Sequence, residues 1–576
     1  MNRIQTTLMP SNPRNQAMSD EKYIFGIDLG TTYSCIAYVN EHGQPSVEPN
    51  SDNELTTPSV VYFEDETNVV VGKSAKDAIR TDSHRVASKF KREMGNTDWR
   101  FEVDGKAYRA QQLSALVLER VVEDAEKITG KTIKDVVITC PAYFGLAQKK
   151  ATQDAGELAG LNVRYVIPEP TAAAIAYGAD QKGEDVVLVY DLGGGTFDIT
   201  LIEIAAKSLK VLTTDGNAEL GGFNWDSALA DFFVEKVAEE TGADAADIRN
   251  DAEFYADLLL ISEEAKKTLT NKQTAKQVFL YDGERVRAEV TRDEFNRITK
   301  TLLDETIDTT RSVINRAKEK SGMRTPNTIL LVGGSTFMPQ VEERIAAEFP
   351  ELEIKRNDPN QIVAKGAALF GLKTSLEDRA IEIYNETSDK AATTLDEVDE
   401  EKKIEILTKA GEQYGLPAAK ANDLGGKSVQ NVTSRSFGMK AFIQDLNAMR
   451  IANLIHVDDA VPADVTQRFE TMENNQRTVD IEIFENEMRT DKVNSVCEES
   501  SSVPLAQAVL DLGGPFPKGS PIDVTFKLSP DGLLDVVAQH SETGNKVDVQ
   551  LRIEGAMTDE EFAEAKSTAA ALTRSE

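Results

Sequence analysis

The sequence predicts a multidomain protein with a two-lobed α/β region followed by an antiparallel β-sandwich. Apolar strand-like runs alternate with amphipathic helical segments from about residue 20 to residue 375, which is typical of α/β domains. Within that region a strand–turn–strand pattern that contains Asp-Leu-Gly occurs twice. Beyond residue 428 the apolar residues follow a period of two between short turn motifs, which indicates sheets with one buried face.

The first strand–turn–strand pattern, YIFGIDLGTTYSCIAYV, occupies residues 23–39. Gly30, Thr31 and Thr32 form its predicted turn. Small residues in a turn leave backbone N–H groups open to the close approach of an anion such as a phosphate. Because the carboxylate of Asp28 would repel that phosphate, the pattern also predicts a cation between them.

The second pattern, DVVLVYDLGGGTFDITLIEI, occupies residues 185–204 and places Asp191 where the first has Asp28, 163 residues earlier. A duplicated fold would clamp a phosphate chain from both sides, with the two aspartates holding a metal ion. The alternative is two unrelated hairpins that share a turn. The matching threonines and flanking strands disfavour that alternative.

A third turn lies in residues 327–349, where a buried-strand run meets Gly333, Gly334 and Ser335 and then an amphipathic helix. Strand, glycine turn and helix N-terminus form a common nucleotide-contacting arrangement. Many α/β proteins use such a turn for packing alone, so this motif is weak by itself.

The composition narrows the classes of partner. The chain of 576 residues has 64 Lys and Arg against 97 Asp and Glu, a net charge of −33. Nucleic acid and anionic membranes require basic surfaces, so neither is expected as a partner. Cys35, Cys140 and Cys497 are too scattered to form a disulfide framework, which favours a reducing compartment, with the cytoplasm as the expected location. Residues 1–20 have no apolar signal-like run and are expected to be a disordered extension.

Several motifs together resemble the heat shock protein 70 family of DnaK-like chaperones, within the actin and sugar-kinase superfamily of ATPases. They fall in the family's order from about residue 20 to residue 372. They are GIDLGTTYSCIA, VVITCPAYF followed by QKKATQDAG, EPTAAAIAYG, DLGGGTFDIT, LGGFNWD, LLVGGSTFMP and VAKGAALFG. The resemblance implies an actin-like (ribonuclease H-like) ATPase domain over residues 21–375.

The resemblance implies residue roles in this domain. Lys91 would polarise the γ-phosphate and the attacking water, and Thr196, Glu169 and Asp191 would complete the catalytic set. Hydrated Mg²⁺ would be held by Asp28, Glu169 and Asp191, with Asp198 at a monovalent site that K⁺ would suit. The implied ATP or ADP contacts are Gly30, Thr31, Thr32, Tyr33, Gly193, Gly194, Gly195, Thr196, Gly221, Gly222, Glu263, Lys266, Thr270, Gly333, Gly334, Ser335 and Phe337.

The sequence departs from the family pattern at several of these motifs. Phe337 stands in place of an arginine that stacks on adenine, which removes a cation–π component. Asn360 replaces an aspartate, and Lys149 replaces an arginine. Phe223 and Asn224 replace an acidic pair in LGGFNWD. Retained ATP binding and hydrolysis with altered affinity are expected.

Residues 428–555 are expected to form a β-sandwich that resembles the family's peptide-binding domain, on NVTSRSFGM, NNQRTVDIEIFE and DGLLDVVAQ. The resemblance implies an apolar peptide cleft lined by Met439, Phe442, Phe469, Met472, Val479 and Ile481. Strand addition with an apolar pocket binds unfolded chains without reading their sequence. For Val479 and Ile481 the alternation predicts a plain sandwich core equally well.

Two segments differ from the family. The linker is polar, KSVQN at residues 427–431, and follows an acidic stretch, residues 376–427, expected to be a helical insertion. The acidic stretch would serve as a charged spacer or as a docking site for a partner. Residues 556–576 are expected to be a short helical stub in place of the family's long lid. A polar linker and a missing lid predict weak coupling between ATP and peptide, since allostery requires differential contacts in two states.

The leading interpretation is a chaperone that hydrolyses ATP and binds unfolded or extended polypeptides. A J-domain co-chaperone and a nucleotide-exchange factor are further candidate partners. The alternatives are a nucleotide-binding scaffold or regulator of one partner, and a small-molecule kinase on the actin-like fold. The sandwich disfavours the kinase.

Overall fold

The computed structural model describes residues 23–179, 183–319, 324–388, 390–488, 496–529, 532–549 and 557–574. The predicted extension, residues 1–20, therefore lies outside the described residues, as do residues 550–555 before the predicted stub and residues 556, 575 and 576 of the stub itself. None of the helices in the described ranges is both long enough and apolar enough to cross a bilayer.

The first lobe begins with the predicted strand–turn–strand. Its strands are β1 Phe25–Asp28, β2 Tyr33–Val39, β3 Pro45–Glu48, β4 Thr57–Pro58, β5 Val60–Phe63, β6 Asn68–Val71, β7 Val86–Ser88, β8 Phe101–Val103, β9 Lys106–Tyr108, β10 Asp135–Cys140 and β11 Asn162–Pro168. Its helices are α1 Lys73–Asp82, α2 Ala110–Thr129, α3 Leu146–Leu158 and α4 Glu169–Gly178.

The second lobe begins with the second copy of the pattern. Its strands are β12 Asp185–Leu192, β13 Phe197–Ala205, β14 Ser208–Asn217, β15 Thr274–Tyr281, β16 Glu284–Thr291, β17 Thr328–Val332 and β18 Glu353–Arg356. Its helices are α5 Gly222–Thr241, α6 Ala245–Asn250, α7 Ala252–Asn271, α8 Arg292–Ile298, α9 Lys300–Glu319, α10 Pro339–Glu348 and α11 Ile362–Thr387.

The two lobes contain sheets of the same design. Strands β11-β10-β1-β2-β3 form one sheet, and β18-β17-β12-β13-β14 form the matching part of the other. In each, three strands run parallel and the last two return as antiparallel hairpin strands. Asp28 and Asp191 therefore occupy equivalent places, at or next to the last residue of the central strands β1 and β12.

Helix α11 joins the two lobes. It packs on helix α4 and on strands β1, β2 and β10 of the first lobe. A Cβ on Gly366 would lie 1.7 Å from the carbonyl oxygen of Ala172. Because that neighbour is backbone, only glycine allows helices α4 and α11 to approach so closely.

The acidic stretch packs on the α/β domain. The predicted boundary between residues 375 and 376 falls inside helix α11, which continues to Thr387. Helices α12 Glu400–Gln413 and α13 Ala418–Gly425 follow. Their apolar faces, with Ile406, Leu407 and Leu424, are buried in the same cluster as the strands of both lobes, so these residues form part of the domain's core despite their acidic surface.

The polar linker forms a strand. Residues of β19 Ser428–Val432 pair in parallel with β14, with Ser428 opposite Ser208, and then antiparallel with β22 Ala460–Val461. Strand pairing uses backbone groups, so a polar side-chain composition does not prevent it. The linker therefore extends the second lobe's sheet without leucine side chains.

The remaining strands form the sandwich. They are β20 Ser436–Ile443, β21 Ala448–Ile455, β23 Ala463–Glu470, β24 Gln476–Asn486, β25 Val496–Cys497, β26 Ser502–Phe516, β27 Pro521–Leu528, β28 Leu534–His540 and β29 Lys546–Val549. Sheets β25-β21-β20-β24-β26 and β23-β27-β28-β29 enclose one apolar cluster. The alternating pattern in the sequence matches this two-sheet arrangement.

The C-terminal stub lies on the first lobe. Helix α14 Asp559–Ala570 packs Phe562 and Ala565 near Ala115 and Leu158. Strand β30 Thr573–Arg574 then pairs in parallel with the edge strand β6, and Arg574 forms ion pairs with Glu119 and Glu123. The stub is thus fastened to the α/β domain by a helix, a strand and two ion pairs.

Candidate functional site

The turns of the two lobes face each other across a cleft of about 1030 Å³. Of the predicted nucleotide, catalytic and metal residues, those that line it are Asp28, Gly30, Thr31, Thr32, Tyr33, Lys91, Glu169, Asp191, Gly193, Gly194, Gly195, Thr196, Glu263, Lys266, Thr270, Gly333, Gly334, Ser335 and Phe337. Gly221 and Gly222 lie directly behind the second turn, where a Cβ on Gly221 would meet the backbone of Gly195.

The two glycine turns approach each other very closely. A Cβ on Gly194 would lie 2.0 Å from Thr32 Oγ1, and one on Gly195 would lie 2.5 Å from Thr31 Cγ2. The hydroxyl of Ser335 donates to the carbonyl of Gly193 at 2.8 Å, so the third predicted turn contacts the second. The three motifs that are far apart in sequence therefore meet at one point.

Three of the predicted carboxylates, Asp28, Glu169 and Asp191, line the cleft, whereas the fourth, Asp198, does not line it and is buried near Glu169. Glu169, Asp191 and Asp198 are buried, and Asp28 is partly exposed to the cleft. Burial, reinforced by Glu169, raises the pKa of Asp28 to about 7, and burial likewise raises the pKa values of Asp191 and Asp198. Asp198 also accepts a hydrogen bond from the Ala142 N–H at 3.1 Å. A cation bound among these carboxylates would favour their ionised forms, because its charge would offset both burial and their mutual repulsion.

Lys91 lies among these carboxylates. Its Nζ is 2.6 Å from Glu169 Oε1, and the side chains are only 4% and 10% exposed. Burial alone would lower the pKa of Lys91, but Glu169 and Asp28 together raise it. The ammonium is therefore held protonated at the point where the two glycine turns meet.

Within the described ranges, no three of the carboxylates converge closely enough to ligate a bare metal ion together. Mg²⁺ dehydrates reluctantly and usually retains several waters in protein sites. Oxygen donors spaced around an open cleft suit such a hydrated ion. The donor set therefore fits the Mg²⁺ that the sequence motifs imply.

The predicted adenosine contacts lie on helix α7. Glu263 is bound by Lys267 at 2.7 Å, by Lys76 of helix α1, and by the Tyr33 hydroxyl at 3.1 Å. These lysines outweigh burial and hold the pKa of Glu263 at about 2. Lys266 donates to the Gly222 carbonyl at 3.0 Å. Glu263 thus connects helix α7 to Tyr33 after the first glycine turn, and Lys266 connects it to Gly222 behind the second.

Phe337 borders the cleft and is 39% exposed. The guanidinium of Arg356 lies 5.4 Å from its ring centroid and donates to the Thr336 carbonyl at 2.8 Å. An arginine is therefore present at this end of the cleft, on strand β18 rather than at position 337. No local pattern marked Arg356, because it lies 19 residues beyond Phe337 along the chain.

The six predicted peptide-cleft residues divide into two groups. Ile481 (0% exposed) and Met439 lie in the sandwich core, and Phe469 and Val479 are half-buried against it. Phe442 and Met472 are 38% and 47% exposed. Phe442 pairs across strands with Met449, another exposed apolar residue. Phe442 and Met472 are therefore accessible to a ligand, whereas Met439 and Ile481 belong to the core.

The sandwich contacts the first lobe through Glu485. This buried carboxylate accepts a hydrogen bond from the Leu146 N–H, at the start of helix α3, at 3.3 Å. Arg435 lies 3.5 Å away. Burial raises the pKa of Glu485, while Arg435, the Leu146 amide and Lys149 lower it and Glu487 raises it further. Lys149, one of the departures from the family pattern, thus lies at this contact.

Several cleft residues were not predicted from the sequence. Lys76, Lys89, Phe223, Asp226 and Lys267 all line the cleft. The three lysines read as ordinary helix or loop residues, and no local pattern marks them. Phe223 and Asp226 lie in the LGGFNWD motif, where Phe223 is a departure from the family's acidic pair and Asp226 was given no role.

Two sheets of the same strand order, facing one cleft through glycine turns and joined to a sandwich, define a duplicated α/β domain with an appended β domain. A family model described as Hsp70 protein matches residues 24–384 and 424–576. The chain therefore belongs to the Hsp70 family, and the resemblance in the motifs is confirmed. Members of this family are ATPases that act as chaperones. The residues between the two matched segments, 385–423, contain the end of helix α11, helix α12 and part of helix α13.

Proposed function

We propose that this protein is an ATP-dependent chaperone, with an actin-like ATPase domain and a sandwich that binds extended apolar segments of unfolded polypeptides. The meeting of the two glycine turns at Lys91 and its carboxylates is the observation that supports this most directly. Phosphoryl transfer needs positioning and charge neutralisation more than covalent chemistry. The cleft supplies both.

Residues of both lobes would bind the nucleotide and its cations. Backbone N–H groups of residues 30–33 and 193–196 would bind the phosphates, and Lys91 would orient the γ-phosphate and the attacking water. Glu263, Lys266 and Phe337 would bind the adenosine. Mg²⁺, held through water by Asp28, Glu169 and Asp191, would neutralise phosphate charge, with K⁺ near Asp198. Three buried free cysteines suit a reducing compartment such as the cytoplasm.

The exposed apolar residues of the sandwich would contact the polypeptide. Phe442 and Met472 present the accessible surface, and Met439, Phe469, Val479 and Ile481 would shape it from the core. The C-terminal helix lies on the first lobe, so peptide exchange should be fast. A J-domain co-chaperone and a nucleotide-exchange factor would be partners of this protein.

Steady-state ATP hydrolysis with and without an extended apolar peptide tests this proposal. Hydrolysis should be stimulated by the peptide and abolished by Lys91→Met, whereas the exposed Lys134→Met should behave as wild type. Phe442→Glu should lower peptide affinity measured by fluorescence anisotropy. Leu280→Glu, at an exposed apolar site on the second lobe, is its control. Peptide-independent hydrolysis by a protein that binds no peptide would contradict the chaperone assignment.

A second candidate is a nucleotide-binding regulator of one partner. The fastened C-terminal stub and the helices outside the family match favour it. Such a protein would bind nucleotide, ignore generic peptides and hydrolyse ATP only with its partner. A small-molecule kinase is not favoured, because it would not need the sandwich.

A further inference from the structure

A lysine of the first lobe lies on an aromatic ring of the second lobe, inside the cleft. Lys89 immediately precedes the short 3₁₀ helix Phe90–Glu93, which also holds Lys91. Phe223 is the second residue of helix α5. The Lys89 Nζ lies 3.1 Å from the centroid of the Phe223 ring, and both residues line the cleft. This contact therefore bridges the two lobes.

The backbone aims Lys89 at this ring. Lys89 has a φ of 60°, a left-handed conformation that costs a non-glycine residue free energy. Within the described ranges, no carboxylate lies within ion-pair distance of its ammonium, and the nearby Asp226 is paired with Lys266 at 2.7 Å. The aromatic face of Phe223 is thus the partner of this cation.

Phe223 is rigidly connected to the phosphate turn. Its N–H donates to the Gly194 carbonyl at 2.8 Å. Arg92 of the first lobe lies 5.7 Å from the same ring and donates through Nε to the Gly195 carbonyl at 3.0 Å. Two cations next to Lys91 therefore hold one ring and one glycine turn, and separating Lys89 from Phe223 would move that turn away from Lys91.

The other end of the cleft is closed differently. There Lys76 pairs with Glu263, and Arg80 pairs with Asp257 at 3.0 Å and with Glu264 at 2.9 Å. These contacts are ionic, and the two formed by Arg80 are partly exposed to solvent, so salt screens those two most. A cation resting on a ring inside the cleft is a short-range contact with an uncharged partner, so salt affects it less.

We propose that Lys89 and Phe223 form a lobe-closing contact at the phosphate end of the cleft, which slows the release of bound nucleotide. The inference rests on the proposed nucleotide binding. Both are positioning residues: they set the distance between the glycine turn and Lys91. The ring that this contact uses is the aromatic residue of LGGFNWD, at a position where the family has an acid.

Stopped-flow release of a fluorescent ADP tests the proposal on the full chain. Lys89→Met and Phe223→Leu should each accelerate release by roughly 3- to 30-fold. The double variant should release no faster than the faster single variant, because both remove the same contact. Lys89→Arg and Phe223→Tyr keep the cation and the ring and should restore slow release, which a merely structural role would not do.

The chain offers a matched control. Lys236 lies over Phe232 at 5.7 Å on the same helix α5, and neither residue lines the cleft, so Lys236→Met and Phe232→Leu should leave release unchanged. Phe223→Glu should restore slow release at low salt only, because it creates an ion pair.

The outcomes separate the two ideas. Absence of ADP binding by wild type would refute the proposed nucleotide function. Normal ADP binding, with release from Lys89→Met and Phe223→Leu within twofold of wild type, would refute the lobe-closing contact and leave nucleotide binding intact.

Discussion

Replacing Lys91 by methionine removes the ammonium that lies 2.6 Å from Glu169 Oε1. At an effective dielectric constant of about 20, that attraction is worth about 6 kcal/mol. The burial of both groups offsets part of it. Loss of one partner from a buried ion pair typically costs about 3–5 kcal/mol, because the remaining charge is left uncompensated. The same loss is expected here, since Asp28, Asp191 and Asp198 already crowd Glu169.

The double variant Lys91→Met/Glu169→Gln should be more stable than Lys91→Met by at least about 2 kcal/mol, because neither charge is then buried alone. Urea unfolding followed by tryptophan emission measures this. Both tryptophans, Trp99 and Trp225, lie in the α/β domain, so the signal reports that domain. Lys134→Met controls for the loss of a surface lysine.

Two results would refute this reasoning. Unfolding of Lys91→Met at the urea concentration of wild type would mean that the ion pair contributes nothing net. A loss of stability in the double variant equal to the sum of the losses in the single variants would mean that the two groups do not interact.

Three further predictions concern the packing of the domains. Because burial raises the pKa of Glu485, a docked sandwich should be favoured as pH falls through that raised pKa and disfavoured above it. Glu485→Gln should therefore strengthen docking of the sandwich at pH 7, which would be measured as slower hydrogen exchange in residues 428–432. The control Asp480→Asn, at an exposed site, should leave that exchange unchanged. Faster exchange in Glu485→Gln would contradict the predicted direction of the effect. Gly366→Ala should destabilise the α/β domain by several kcal/mol, since its Cβ would overlap backbone, and Gly183→Ala, in open space, should be neutral in the same urea assay. Arg574→Glu should release the C-terminal stub and expose it to limited proteolysis, unlike Lys566→Glu on helix α14 of the same stub; equal resistance would show that the ion pairs of Arg574 do not hold it.

Much of the candidate site could be predicted because it depends on backbone. A turn that admits a phosphate requires small residues after a strand, and Gly30 and Gly194 are recognisable as such residues from the sequence alone. The duplication was visible for the same reason, since Asp28 and Asp191 end equivalent strands. Residues whose role depends on a partner from elsewhere in the chain were not predictable. Lys89 and Phe223 become neighbours only when the two lobes face each other, and Arg356 reaches Phe337 only when strand β18 packs within the second lobe.

The polar linker is a case in which side-chain composition did not indicate the pairing that its backbone makes. Its side chains suggested weakened contact with the ATPase domain, but strand β19 pairs through backbone groups that every non-proline sequence possesses. The coupling of ATP and peptide remains a prediction.

The sequence by itself determined the fold class, the two facing turns and the family, because strand periodicity, small residues in turns and motif spacing are local properties of the chain. Only the tertiary structure decided that Lys91 pairs with Glu169, that Ile481 is core while Phe442 is exposed, and that the C-terminal stub lies on the first lobe. Those outcomes depend on contacts between residues that lie far apart in the sequence. Such contacts, rather than any local pattern, determine which side chains are buried and which charges are paired.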